Sequence, residues 1–183
     1  YTLGPALTDV HHYQINLNLQ HEERISRLQQ AVLEQPGVRA VEVWNTGNAS
    51  IRPQSQAQYN VNDERASLYG IPLDSQMYQP NLVAGRWLQA GDGRMVALHH
   101  ELAARLGVGV GDSITLRYQG DKESDWQIVG LFFDSTRDTG VYMLQTVYGW
   151  EMNRVNQGNT LYIKTIDTDP AATIDTGLAI RQF

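Results

Sequence analysis

Three glycines within five residues, Gly107, Gly109 and Gly111, separate a helix-spaced set of leucines from an alternating strand, and they restrict the fold more than any other feature of the chain. Upstream, the apolar tetrad from Met95 to Leu98 runs into Leu98, Leu102 and Leu106, which recur at the spacing of one helix face. Downstream, Ile114, Leu116 and Tyr118 alternate as a half-buried strand does. The order is strand, short helix, tight turn, strand. Glycines that close a helix and precede a strand are read as a C-cap and turn, where glycine takes backbone angles that other residues resist. A phosphate cradle would need them to open a helix instead.

The ends of the chain carry a different pattern. Residues 13–19 alternate, with Tyr13, Ile15, Leu17 and Leu19 on one face, and predict a strand. Residues 22–35 place Ile25, Leu28 and Val32 at helical spacing, put acids in the first turn and stop at Pro36-Gly37. Residues 38–44 predict the next strand, whereas 45–62 are polar and aperiodic and read as a loop or weak edge strand. Residues 67–133 break into short strands punctuated by Gly and Pro, as in a partly closed barrel or sandwich. Residues 141–155 suit a strand entering a short helix, and 160–166 a strand. Asp169-Pro170 then supplies an N-cap and first-turn proline to a helix carrying Ile174 and Leu178. The fold class is therefore α+β. A split strand-helix-strand subdomain is expected from residues 1–58 and 156–183, with a β-rich subdomain, residues 59–155, inserted into it.

At 183 residues and 42% hydrophobic, the chain can bury a core, and no apolar run reaches the roughly 18–20 residues of a membrane helix. The chain as given is expected to be soluble, and it reads as a segment excised from a longer protein. A net charge of -6 with scattered basic residues argues against a nucleic-acid partner. With no cysteine, disulfides, thiolate metal sites and cysteine nucleophiles are all excluded.

Five histidines are the first place to look for chemistry. His11-His12, His21 and His99-His100-Glu101 lack the i, i+4 spacing of a helical zinc site, and the exposed start of a helix accounts for the last group. Asp121, Glu123 and Asp125 around Lys122 read as a solvated hairpin. Asp167, Asp169 and Asp175 suit a helix N-terminus. No G-x-S-x-G context offers a serine nucleophile. Tyr59, Tyr69, Tyr78, Trp87, Tyr148 and Trp150 could contact a partner, but most are expected in the core. No residue is assigned a catalytic, cofactor-binding or metal-ligating role, no cofactor is expected, and the chain is read as not an enzyme.

The ordered set Gly85-Arg86, Val96-Ala97-Leu98, ELAARLGVGVGD from Glu101 to Asp112, Ile114-Thr115-Leu116 and Ile128-Val129-Gly130 resembles the extracytoplasmic core domain of MacB/FtsX-like ABC transporter permeases. The resemblance covers most of the chain and is strongest over residues 82–131. It implies a porter-like subdomain interrupted by a sabre-like one, on the extracytoplasmic side of the cell membrane. It also implies a second permease copy and a cytoplasmic ATPase as partners, with room for an accessory protein or lipoprotein. The implied function is mechanical: ATP hydrolysis is coupled to extracytoplasmic movement that exports or releases a lipoprotein, peptide or drug. Both chain ends should then lie on one side of the fold, with the first and last strands in one sheet. The alternative is a secreted or cell-surface module binding a peptide, lipid or glycan, and a weaker third option is a metal-assisted hydrolase built on His99-His100.

Overall fold

The computed structural model describes residues 10–56, 63–118 and 120–180. Tyr59, the expected boundary at 58/59 and both chain ends lie outside the described residues. In chain order the elements are β1 (Ile15–Arg24), α1 (Ile25–Leu33), β2 (Val38–Pro53), β3 (Glu64–Ile71), β4 (Asn81–Gly85), β5 (Met95–His99) and α2 (His100–Leu106). They continue with β6 (Ser113–Arg117), β7 (Glu123–Phe133), β8 (Gly140–Leu144), α3 (Gln145–Glu151), β9 (Gln157–Thr165) and α4 (Pro170–Ile180). The mixture is α+β and divides into two compact units. One comprises Tyr1–Asn45, Asp74–Gln79 and Gly149–Phe183, the other Thr46–Leu73 and Pro80–Tyr148.

In the first unit β9 lies between β1 and β2 and is antiparallel to both, so the first and last strands do share a sheet. Alternation gives this sheet two different faces. Ile15, Val41, Val43, Leu161 and Ile163 pack with Val32 of α1 and Ile180 of α4 in an aliphatic cluster. Trp44 and Tyr162, one residue out of phase, pack with tilted rings 4.5 Å apart, and Tyr13 and Tyr78 join them at 4.5 Å from Tyr162 and 6.2 Å from Trp44. The carboxylate of Glu42 secures the short segment 74–79, accepting from Trp44 Nε1 (2.8 Å), Ser75 Oγ (2.6 Å) and the backbone N–H of Gln76 (2.5 Å).

Two helices differ from the sequence reading. α1 begins at Ile25, because β1 resumes pairing with β9 after an irregularity (Glu23 opposite Gly158, Arg24 opposite Gln157) and holds the expected first turn extended. α4 starts where expected, with Asp169 Oδ2 accepting from the N–H groups of Ala171 and Ala172. It turns Thr173, Thr176, Gly177 and Ile180 inward, however, and leaves Leu178 48% exposed. The reason is proximity: a Cβ on Gly37, whose φ is +84°, would lie 2.5 Å from Thr176 Oγ1, so only small residues fit there.

In the second unit the strands close a ring. The order β2, β3, β8, β5, β7 is completed by β6, which pairs with both β7 and β2, and β4 is added outside on β7. Two pairings, β3 with β8 and β5 with β7, are parallel. Ile51, Leu68, Leu98, Ile114 and Leu116 from four of the strands are fully buried. Residues 46–53, expected as loop or weak edge, are instead a ring strand, with Ser50 to Pro53 opposite Arg117 to Ile114. Its ladder with β6 supplies the order that its polar side chains do not advertise.

Candidate functional site

Of the segments that carried the family resemblance, Gly85-Arg86, Val96-Ala97 and Gly111-Asp112 meet at one place, the stretch Ile128-Val129-Gly130 of β7, while Ile114 to Leu116 pair with Trp126 to Ser124 just before it. Gly111 donates its N–H to the carbonyl of Ile128 (2.8 Å), and Ile128 donates to the carbonyl of Asp112 (2.9 Å). Asp112 Oδ2 accepts from the N–H of Gly109 (2.8 Å), and Gly107 and Gly111 have φ of +69° and +95°. Arg86 donates its N–H to Val129 (2.9 Å), while a Cβ on Gly130 would fall 2.1 Å from the Arg86 carbonyl oxygen. The Arg86 guanidinium grips Asp92 with two bonds of 2.8 and 2.9 Å, holding the Asp92 carboxyl below its usual range. The glycines are thus backbone devices: a left-handed helix cap, a turn and a close crossing.

The histidines do not converge. His11 is buried among Tyr13 and Tyr78, and His21 is exposed. Among the described residues no group of three or more His, Asp or Glu side chains is placed to hold a metal ion. His99 corrects the sequence reading: it is not an exposed helix start but the last residue of β5, 1% exposed, and opposite Phe132. Its Nδ1 accepts the N–H of Glu101 at 3.3 Å and caps α2. Burial pushes its pKa down, as does the neighbouring His100.

A sequence profile of the MacB-like periplasmic core domain matches residues 7–178. The chain belongs to this family. Solved structures with similar folds include the periplasmic region of MacB from Actinobacillus actinomycetemcomitans, at 11% identity over 91% of this chain and 81% of that one, with a TM-score of 0.57. Another is the extracellular domain of the noncanonic ABC-type transporter YknZ from Gram-positive bacteria, at 14% identity over 88% of this chain and 87% of that one, TM-score 0.58. No curated protein sequence matches significantly. This is an extracytoplasmic domain of a MacB-like ABC transporter permease. No helix among its described residues is long and apolar enough to cross a membrane.

The acidic hairpin of this MacB-like domain is exposed at Asp121, Lys122, Glu123 and Asp125, as its sequence suggests, but two of its carboxylates are bonded to residues of other strands. Arg52, 5% exposed on β2, donates to both oxygens of Glu123 at 2.9 and 2.7 Å, and Asp125 accepts from Thr115 (2.7 Å) and Gln54 (2.9 Å). Nothing in the polar run around Arg52 signals this pairing, since its partner lies 71 residues away. The hydrogen bonds from Arg52 hold the Glu123 carboxyl below its usual range. A carboxyl depressed in the fold stabilises it above the unfolded value, about 4.3 for Glu, and that stability is lost as pH falls toward the folded value. Melting temperature is therefore expected to fall below about pH 4.5, and Glu123→Gln should flatten this slope while lowering stability at pH 7. Equal slopes for the two proteins would show that the pair is not what acid breaks.

Among the aromatics singled out, Tyr78 and Tyr148 are buried and Trp150 is 74% exposed. Tyr69 and Trp87 are half-buried and meet at Tyr142, with ring centroids 4.9 and 5.4 Å from it. The guanidinium of Arg137 lies 4.4 Å above Tyr69 and donates to the Tyr142 hydroxyl.

Proposed function

We propose that this domain is a mechanical transmitter without bond-making chemistry of its own. In the intact transporter it works opposite a second permease copy, and hydrolysis by a cytoplasmic ATPase moves the two domains to export or release a lipoprotein, peptide or drug. The connectivity of the two units carries this reading. The chain passes between them at four points, and two of these fall inside regular elements: β2 at Asn45/Thr46 and α3 at Tyr148/Gly149. A strand and a helix transmit displacement where a flexible linker would absorb it. The convergence of the family segments on backbone geometry, not on a cluster of reactive side chains, supports the same reading.

The absence of native cysteine in the domain makes a direct test possible. In the full-length permease with its ATPase, a single spin label at Trp150→Cys should give a different distance between copies in the nucleotide-free and ATP-trapped states. The same distance distribution in both, with hydrolysis intact, would overturn the transmitter reading.

A further inference from the structure

We infer that His99 is a proton-operated latch on the first turn of α2, closed while its imidazole is neutral and opened by protonation. The argument begins with the hydrogen bond that Nδ1 accepts from the Glu101 N–H. A ring nitrogen accepts only when it carries no proton, so the proton of the neutral ring sits on Nε2. In the imidazolium both nitrogens donate. Nδ1–H would then face the N–H of Glu101, donor against donor, and the cap would be lost.

The surroundings give the charged form little in return. Nε2 of His99 is buried and has no hydrogen-bond partner among the described residues. Phe132 and Phe133 of β7 cover the ring, with centroids 5.4 and 6.0 Å away, and the His100 ring stands 4.9 Å off. The ionisable groups facing it are His100 and Glu101 on α2 and Asp134 and Asp138 after β7. The three acids favour the charged ring, while His100 opposes it. Burial is the largest influence and leaves the folded ring less basic than a free one. Below the ordinary value of about 6.5, the opened state therefore takes up a proton that the closed state refuses, and closure weakens as pH falls. α2 packs on β5 and β7, so opening its first turn uncovers Phe133, already 40% exposed.

The test is amide hydrogen exchange at residues 101–104 of the 183-residue chain at pH 7.5 and 5.5, corrected for intrinsic rates. A single histidine of ordinary basicity when open predicts about a tenfold rise in opening over this interval. His99→Asn keeps an oxygen acceptor at the cap and cannot titrate, so its opening should change less than about twofold. Unchanged protection in the wild type, or an equal rise in His99→Asn, would overturn the latch. Should the variant not fold, imidazole nitrogen NMR of the wild type decides instead. The latch requires the Nε2–H tautomer at pH 7.5 and a Glu101 amide shift that follows the His99 titration; a Glu101 amide indifferent to that titration sinks it.

Discussion

Gly130→Ala is expected to cost about 3 kcal/mol or more, a large part of the roughly 5–15 kcal/mol that holds a domain of this size together. Gly130 faces Gly85 of β4 on one side and Ala97 of β5 on the other. A Cβ there would stand 2.1 Å from the carbonyl oxygen and 3.0 Å from the carbonyl carbon of Arg86. Both atoms are backbone, so no rotamer change relieves the overlap, and β7 must part from the Gly85-Arg86 crossing. Gly93→Ala is the matched control, since a Cβ there meets nothing within 4 Å, and it should stay within about 0.5 kcal/mol of wild type. Urea unfolding midpoints measure both. Indistinguishable midpoints would mean that the crossing is looser than described.

Trp44→Ala should be comparably severe in the first unit, at about 3–5 kcal/mol, the usual range for truncating a buried Trp. Trp44 is fully buried against Tyr162 and bonded through Nε1 to Glu42. Trp44→Phe separates the two contributions. It keeps a ring against Tyr162 and loses the hydrogen bond, and Glu42 retains its bonds from Ser75 and Gln76, so a smaller loss is expected. If Trp44→Phe proved as damaging as Trp44→Ala, the Glu42 bond and not the aromatic packing would be what fixes this face of the sheet.

Where one side-chain property decides a structure, the sequence displayed it. Alternation marked residues 13–19 as a strand, residues 38–44 and 160–166 also read as strands, and all three share a sheet, while Asp169-Pro170 marked the start of α4. The segment 46–53 was opaque because its place in the ring rests on backbone pairing with β6, with only Ala49 and Ile51 as buried apolar residues. Leu178 misled for the opposite reason: the close approach at Gly37 selects Thr176 and Gly177 by size, and hydrophobicity points to the wrong face. His99 looked like a surface residue because the aromatic cover of its ring comes from β7, some 30 positions later and in parallel register. The ordered family segments were legible as a set, although the reason for their spacing, convergence on Ile128 to Gly130, appears only in three dimensions.

The position of β9 at the centre of the first unit's sheet sets the order in which a growing chain can fold. Every strand of the ring, from β2 to β8, leaves the ribosome before β9, and β2 can find β6 while its other neighbour does not yet exist. β1 and β2 flank β9 and do not pair with each other, so until β9 arrives their facing edges lack the strand that joins them. Closing a disordered loop of roughly 100 residues would cost about 4 kcal/mol in chain entropy, and prior closure of the ring shortens that loop. Unpaired strand edges are templates for the wrong partner. The unit that contains the earliest residues is thus the last to be completed, and the inserted ring, made later, is what the first strands must wait beside.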